Sequence, residues 1–431
     1  MDWYLSLIIL FGILLLLMST GLPIAFALAL LGIISLFLFW PAGLEVVGAI
    51  SIRSSLNFVL VAIPLFIFMG ELLLLSGISR DIFDLMQKWF GAVPGSLAVG
   101  SLGMGTIFAA LTGSNTANTA LVGTICIPEM VQKNYYRPLA IGAVGAGGAL
   151  GILIPPSIAM LLYAALGEQN AAKLFIAGII PGIIISSLLI TYVIIACKVN
   201  PDWAPGSIRF SWHERIMSLR YAWPVLALIM LVLGTIYLGV ATPTEASAIG
   251  TAGALILAAF RRTFTWTNIQ QAVFSTVRLT SMIMFILVGA ILFSRVLTIM
   301  GISEQLITFL TTLPVPPLAV IVGINIIILI LGCLMDSSSL IAIFTPLLVP
   351  IVIGLGLDPI WFGVLFTINI EVGCLTPPVG YNLFVIKGIL PEAGLGEIIR
   401  GITPFVIIYI IGMALMIAFP ELILWLPSLM D

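Results

Sequence analysis

The chain has 431 residues, of which 61% are hydrophobic and only 8% are charged. Soluble domains carry about 25% charged residues, so this composition excludes a protein dispersed in water and predicts a surface that faces lipid. The formal net charge of −2 is uninformative about nucleic-acid binding, and the sequence contains no basic patch that would indicate it.

Apolar runs of roughly 20 residues predict membrane-spanning helices. Ten runs along the sequence have this character. The predicted spans are Leu5–Thr20, Pro23–Trp40, Phe58–Ser76, Leu139–Leu166, Leu174–Cys197, Ala222–Gly239, Thr244–Phe260, Leu279–Met300, Pro359–Ile386 and Ile402–Phe419.

Two further apolar stretches, Pro94–Val131 and Pro317–Ile353, are too long for one crossing and are interrupted near the middle. The interruptions are polar, at 112–116 and 335–339. Two half-length helices joined at a polar tip form a re-entrant hairpin, which is tolerated at membrane depth where protein or water covers the tip. We therefore predict two such hairpins.

The distribution of Lys and Arg tests this arrangement, because cytoplasmic loops carry an excess of both. With each hairpin returning to its own side, the split is 13 to 3, and both termini face outside. The predicted cytoplasmic set is Arg80, Lys88, Lys133, Arg137, Lys198, Arg209, Arg215, Arg220, Arg261, Arg262, Arg278, Lys387 and Arg400, and the outer set is Arg53, Lys173 and Arg295.

The chain also repeats itself at a separation of 222 residues. Matching pairs include Gly151 with Gly373, Pro155 with Pro377, Pro156 with Pro378 and, at the hairpin breaks, Ser114 with Asp336. An odd number of crossings separates the two copies, so they are predicted to have opposite orientation. Inverted repeats with discontinuous helices are typical of secondary transporters.

This reading predicts an all-α polytopic membrane protein in five segments. They are N-terminal scaffold spans and an arm (1–56), the first repeat (57–197), a cytoplasmic loop with scaffold spans and an arm (198–278), the second repeat (279–420) and a tail (421–431). The mixed segments 42–55 and 263–277 are either interfacial helices bracing each repeat or plain loops.

Several classes of chemistry are excluded by absent residues. The sequence contains no Gly-Lys-Ser or Gly-Lys-Thr, hence no Walker A loop for ATP. The only histidine, His213, lies in a charged loop, which argues against an intramembrane hydrolase or a histidine metal site. Cys126, Cys197, Cys333 and Cys374 lie in or beside apolar runs without metal-site spacing. An ion gradient is left as the energy source for transport.

The two hairpin tips are the strongest candidate sites. At a tip one half-helix ends in unpaired carbonyls, which suit a cation, and the next begins with free N–H groups, which suit an anion. The first tip offers Ser114, Asn115 and Thr116, and the second offers Asp336 with three serines after it. The alternative is that these side chains only cap helix ends.

Each hairpin is followed by a second break, at 151–157 and at 373–380, which contains a Pro-Pro pair. Proline removes backbone donors and frees carbonyls, so such a break beside a tip can complete a sodium site. Thr376 and Asn382 add side-chain oxygens to the second break. A simple structural kink is the alternative. Of the carboxylates Glu71, Glu245 and Glu371, we expect each to be paired or near an interface, with a proton relay as the alternative.

The motifs Gly113-Ser114-Asn115-Thr116-Ala117, Gly151…Pro155-Pro156-Ser157 and Thr376-Pro377-Pro378-Val379-Gly380-Tyr381-Asn382 closely resemble one family. It is the large membrane subunit of tripartite ATP-independent periplasmic (TRAP) transporters, and the resemblance covers essentially the whole chain. It implies an elevator-type, sodium-driven transporter in the bacterial inner membrane. It also implies a separate small four-span subunit and a periplasmic binding protein that delivers a carboxylate.

The resemblance also implies site residues. Sodium ions, two or more, are expected at Ser114, Asn115, Gly151 and Pro155 in the first repeat and at Asp336, Ser337, Gly373, Thr376 and Asn382 in the second. Substrate contacts are expected from Ser114, Asn115, Thr116, Pro156, Ser157, Ser338, Gly380 and Asn382. The resemblance implies a carboxylate substrate, a sugar acid such as sialic acid or a C4-dicarboxylate, and the sequence does not indicate which. A stand-alone anion/sodium symporter and a passive channel are the competing functions.

Overall fold

A computed structural model of the chain describes residues 3–40, 45–206 and 209–430. Within these ranges all regular structure is helical, which confirms the predicted all-α class. The first residues of the predicted arm at 42–55 and the last residue of the predicted tail at 421–431 lie outside the described residues.

The amino-terminal part forms five helices, and a 3-10 turn at Phe58–Val61 leads into the fourth. Their bounds are α1 Trp3–Ser19, α2 Ile24–Phe39, α3 Glu45–Ser55, α4 Ala62–Leu75 and α5 Ile78–Phe90.

The first predicted hairpin and the span after it are broken where the sequence predicts. The bounds are α6 Ser96–Thr112, α7 Asn115–Gln132, α8 Arg137–Ala149 with a 3-10 turn Leu150–Ile152, α9 Ile158–Leu166 and α10 Ala171–Val199. Gly113 ends α6 with a φ of 58°, a left-handed conformation that glycine adopts without the steric cost of a Cβ atom.

The middle of the chain forms four helices: α11 Trp212–Tyr237, α12 Pro243–Phe260, α13 Trp266–Ile299 and α14 Ile302–Thr312. The remainder forms α15 Pro317–Gly332, α16 Ser337–Gly354, α17 Pro359–Leu375, α18 Tyr381–Ile389, α19 Leu395–Ala418 and α20 Glu421–Ser428.

The order of elements from α4 to α10 recurs from α13 to α19. In each series one helix leads into a shorter one, and then come a helix pair broken at a tip, a helix interrupted by a second break, and a final long helix. The Pro155–Pro156 and Pro377–Pro378 peptide bonds are both cis. The internal repeat and its inverted orientation in a membrane both stay predictions.

Four features differ from the sequence prediction. The segment 263–277 is not a loop or a separate arm, because α13 runs unbroken from Trp266 to Ile299 across the predicted boundary at 278/279. Residues 266–288 contain no Gly or Pro, and the isolated polar residues of this segment are tolerated in a helix. The short helices α5 and α14 were not predicted, and residues 421–428 of the predicted tail are helical.

Among the described residues, seven helices are long and apolar enough to cross a membrane, and six shorter apolar helices accompany them. Four of the shorter ones, α6, α8, α15 and α17, end at a tip or at a break. Four of the ten predicted spans are therefore absent from the seven: two are broken into half-length helices, and α1 and α2 are 17 and 16 residues long.

Glycines let the broken helix α8 approach its neighbours closely. A Cβ atom at Gly105 of α6 would lie 2.5 Å from the Gly147 carbonyl carbon, and one at Gly148 would lie 2.5 Å from the Thr119 Cα. Small residues at helix contacts permit such approach in membrane proteins. The first hairpin and α8 therefore form one tightly packed unit.

Candidate functional site

The first tip lies between α6 and α7. Ser114 is the N-cap of α7, and its Oγ accepts a hydrogen bond from the Ala117 N–H at 3.5 Å. Asn115 is buried, with 4% of its surface exposed, and its Oδ1 accepts from the Thr116 N–H at 2.8 Å. The groups that cap the start of α7 are therefore all neutral.

The second tip lies between α15 and α16 and carries a formal charge. Asp336 is the N-cap of α16, and its Oδ2 accepts from the N–H groups of Ser338 and Ser339 at 3.0 and 3.2 Å. The Ser339 hydroxyl donates to the other carboxylate oxygen. A carboxylate at a helix N-terminus is favoured by the helix dipole.

The two tips meet directly. The Asn115 Nδ2 donates to the Ser337 Oγ at 3.2 Å, and these residues are 222 positions apart in the chain. The Ser337 Oγ also lies 3.5 Å from the Cys374 Sγ in the second broken helix. Both tips and the end of α17 thus converge on one point.

Each second break packs against the tip of its own half. The Ile158 N–H donates to the Gly113 carbonyl at 3.4 Å, and the Gly380 N–H donates to the Cys333 carbonyl at 3.2 Å. A Cβ atom at Gly151 would lie 2.6 Å from the Ser114 carbonyl oxygen, and one at Gly373 would lie 2.8 Å from the Gly332 Cα. A larger side chain at Gly151 or Gly373 would therefore push the break away from the tip.

A cavity of about 550 Å³ opens in front of the paired tips. One wall is polar and contains Ser114, Asn115, Thr116, Asp336, Ser337, Ser338 and Tyr381. The facing wall is apolar and comes from the α1–α2 turn and from α13. Its residues include Met18, Leu22, Pro23, Ile24, Leu279, Met282, Ile283 and Ile286.

The structure brings six of the predicted site residues to this cavity: Ser114, Asn115, Thr116, Asp336, Ser337 and Ser338. The other eight lie behind the tips, in the two breaks: Gly151, Pro155, Pro156, Ser157, Gly373, Thr376, Gly380 and Asn382. Among these, Ser157 is fully buried and its hydroxyl donates to the Ile152 carbonyl at 2.5 Å, so its polarity is used within the break.

Asn382 differs from Ser157, because its amide is fully buried and neither polar atom has a hydrogen-bond partner within the described part of the chain. Thr376 donates its hydroxyl to the Val372 carbonyl at 2.6 Å, which leaves the oxygen able to accept or coordinate. Buried polar groups are normally satisfied, so an unpartnered amide beside a broken helix is an unusual feature of this site.

Two of the three carboxylates behave as expected, and one does not. Glu71 accepts a hydrogen bond from the Ser275 hydroxyl at 2.5 Å, and Glu245 forms a capping box with Thr242 at the start of α12. Glu371 has no ion-pair partner among the described residues. It is fully buried, the Leu153 backbone approaches it, and neither oxygen forms a hydrogen bond of acceptable geometry.

Sequence reasoning missed the apolar wall and two residues beside the tips. Tyr381 lines the cavity, and Cys374 touches Ser337. Tyr381 precedes Asn382 and Cys374 follows Gly373, and both of these neighbours were predicted site residues. Their positions beside predicted site residues could therefore have indicated Tyr381 and Cys374. Met282 and Ile283 have no comparable signal, because they resemble any other apolar residues of a membrane helix.

Two polar helix tips that meet at a cavity, together with seven candidate spans among the residues described, define a membrane transporter. Residues 11–422 match the family described as "Tripartite ATP-independent periplasmic transporter, DctM component". The chain belongs to this family, as the motifs predicted, and is its large membrane component.

Similar proteins carry different substrate names. The chain is 36% identical over 403 residues to the C4-dicarboxylate TRAP transporter large permease protein DctM of Pseudomonas aeruginosa, covering 93% of this chain and 94% of that protein. It is 32% identical to the 2,3-diketo-L-gulonate permease YiaN of Escherichia coli, with 94% and 95% covered. It is 29% identical to the sialic acid permease SiaM of Vibrio cholerae, with 96% of each covered.

A solved structure shares the fold. The YdaH transporter of Alcanivorax borkumensis matches 86% of this chain and 86% of its own, with a TM-score of 0.64 and 14% sequence identity. At this identity the likeness concerns the fold alone.

Proposed function

We propose that this chain performs sodium-coupled uptake of a carboxylate solute, delivered by a periplasmic binding protein, in the bacterial inner membrane. The substrate class is that of its relatives, a sugar acid or a C4-dicarboxylate. In an elevator cycle the tips and breaks carry the solute past the wall built by the α1–α2 turn and α13.

The direct contact between the two tips carries this proposal. Because Asn115 and Ser337 join at 3.2 Å, both helix starts face one cavity. The cavity has two helix starts on one side and an apolar wall on the other. This arrangement suits an elevator mechanism, in which the tips bind the solute and move with it along the apolar wall. Helix N-termini with free N–H groups bind anions such as carboxylates.

The residues at the breaks fit sodium. Sodium prefers hard oxygen ligands, and a fully buried, unpartnered Asn382 carbonyl oxygen is such a ligand. In the proposal one ion is held by Ser114, Asn115, Gly151 and Pro155, and a second by Asp336, Ser337, Gly373, Thr376 and Asn382. The ions offset the substrate charge at the tips, and their gradient drives accumulation.

Two partner proteins complete the proposal. The family description names a tripartite transporter, so two further components act with this one. The "Isethionate TRAP transporter permease protein DctMQ" of Oleidesulfovibrio alaskensis is longer, since the match covers 94% of this chain and 64% of that protein. We infer that these components are a small four-span membrane subunit and a periplasmic binding protein.

Uptake is expected to need all three components. Proteoliposomes with this chain and the four-span subunit should accumulate radiolabelled carboxylate only when the binding protein and an inward sodium gradient are present. Omitting either partner, or replacing sodium by choline, should reduce the initial rate to that of empty vesicles. Full-rate uptake by this chain alone would instead support a stand-alone symporter, and sodium-independent uptake faster than a carrier cycle would support a channel.

The distribution of Lys and Arg predicts that the first hairpin enters the membrane from the cytoplasm and the second from outside. Asn134→Cys should react with a membrane-impermeant maleimide only from the cytoplasm, and Leu357→Cys only from outside. All four native cysteines are buried, so background labelling should be low. Reaction of both introduced cysteines from the same side would contradict the inverted orientation.

A further inference from the structure

Glu371 is a buried carboxylate that the proposed sodium sites do not use. It lies in α17, two positions before the second break, and none of its surface is exposed. Neither of its oxygens has a hydrogen-bond partner within the described ranges. Two titratable side chains, Tyr409 and Cys374, interact with it electrostatically, and neither can carry a positive charge. Burying an ionised carboxylate without a partner is strongly unfavourable, so this group needs a positive charge beside it.

Among the described residues, no basic side chain of the surrounding helices supplies that charge. The helices that pack against α17 carry five basic residues, each within two turns of a helix end. These residues are Arg137, Lys173, Lys198, Lys387 and Arg400. Arg137 lies 3.3 Å from the Glu397 carboxylate, and Lys387 donates to two carbonyls of the loop after its helix. A positive charge at Glu371 therefore has to come from solution, as a cation or as a proton.

The carboxylate lies against the first break, where backbone carbonyls also lack partners. The Leu153 backbone approaches Glu371. On either side of Leu153, Gly151 and Pro155 are buried residues whose carbonyls accept no hydrogen bond from the described part of the chain. Buried backbone carbonyls are normally paired. A single proton would neutralise the carboxylate and could serve only one further acceptor, whereas a cation attracts the carboxylate and both carbonyls.

We propose that Glu371 is a ligand of the sodium ion assigned to the first break and supplies its counter-charge. The second broken helix would thus complete the site in the first. This inference rests on the proposed sodium coupling and adds one ligand to it. The four ligands proposed above for that ion are all neutral, and at low dielectric a carboxylate attracts a cation far more strongly than a neutral oxygen does. Each of the two ions then has one carboxylate, Glu371 for the first and Asp336 for the second.

Thermal unfolding of the purified full-length chain in detergent tests the proposal without any transport measurement. Sodium chloride replaces choline chloride at constant ionic strength. An ion that binds only the folded chain raises its stability with the logarithm of the ion concentration, in proportion to the number of ions bound. Over the concentrations at which the wild-type midpoint rises with sodium, Glu371→Gln should show about half of the wild-type slope, because one of two ions is lost.

Two further variants separate lost binding from lost folding. Gln resembles a neutral carboxyl group in shape, so Glu371→Gln should be at least as stable as the wild type in choline alone. Glu371→Asp keeps the charge and should retain more of the sodium response than Glu371→Gln. Glu71→Gln is the matched control, because the Glu71 carboxylate already accepts a hydrogen bond from the Ser275 hydroxyl. It should keep the wild-type slope.

Combining Asp336→Asn with Glu371→Gln should remove almost all of the sodium response. A double variant that keeps the slope of either single variant would show that both carboxylates serve one ion, which overturns the assignment of Glu371 to the first break.

Three other results would also overturn the inference. They are a wild-type slope in Glu371→Gln, equal sodium responses of the Asp and Gln variants, and a Glu371→Gln midpoint in choline far below that of the wild type. Each leaves sodium coupling standing, since the wild type still responds to sodium. Absence of any sodium effect on the wild type would instead count against the proposed coupling and remove this inference with it.

Discussion

Asp336→Asn is expected to raise the sodium concentration for half-maximal uptake by about tenfold or more, which corresponds to about 1.4 kcal/mol. The substitution keeps the shape of the N-cap and removes the charge. In a site of low effective dielectric, a carboxylate attracts a cation far more strongly than an amide oxygen does. The initial rate of uptake, measured against sodium concentration in proteoliposomes, reports the change.

The competing explanation is that Asp336 only caps α16, a role that Asn fills nearly as well. Asp358→Asn controls for this, because Asp358 caps α17 with the same geometry, at 2.7 and 3.1 Å, away from the cavity. Ser114→Ala should have a smaller effect than Asp336→Asn, since backbone carbonyls still serve the first site. An unchanged sodium dependence in Asp336→Asn would assign Asp336 to capping alone.

Gly105→Ala is expected to destabilise the folded chain by about 1–3 kcal/mol or more, the usual range for overpacking. The new Cβ atom would lie 2.8 Å from the Gly147 Cα and closer still to its carbonyl. Because the obstructing atoms are backbone, no rotamer change relieves the clash, and α6 must move away from α8. The thermal unfolding midpoint in detergent and the yield of monodisperse protein measure the loss.

Gly323→Ala is the matched control in the first helix of the second hairpin. A Cβ atom at Gly323 meets nothing within 4 Å, and Ala favours a helix over Gly by about 1 kcal/mol. This variant should be neutral or slightly more stable than the wild type. A Gly105→Ala chain that unfolds at the wild-type midpoint would show that α6 and α8 separate without cost, against the close packing described here.

Breaks in the helices were predictable because their causes are local. Gly113 takes a positive φ and Ser114 caps the next helix, so adjacent residues end one helix and begin another. Asp336 does the same for α16. The short helices α5 and α14 were missed because each follows a span after a single glycine in the left-handed conformation, Gly77 and Gly301, which leaves no visible linker.

The partners of buried groups were not predictable in the same way. Glu371 was expected to be paired, yet no ion pair or well-formed hydrogen bond reaches it in the described residues. Its environment depends on which surfaces of α17 and of the Leu150–Leu153 turn come together. That choice follows from packing over the whole helix rather than from neighbours in sequence.

By itself, the sequence determined the membrane class, the four helix interruptions and the family, since composition, glycine, proline and N-cap residues act within a few positions. Only the tertiary structure decided that Asn115 and Ser337 meet at 3.2 Å and that the α1–α2 turn and α13 face them with an apolar wall. These contacts join residues far apart in the chain. They arise because glycine-lined helices pack closely, and apolar membrane residues give no local sign of which of them will line a cavity.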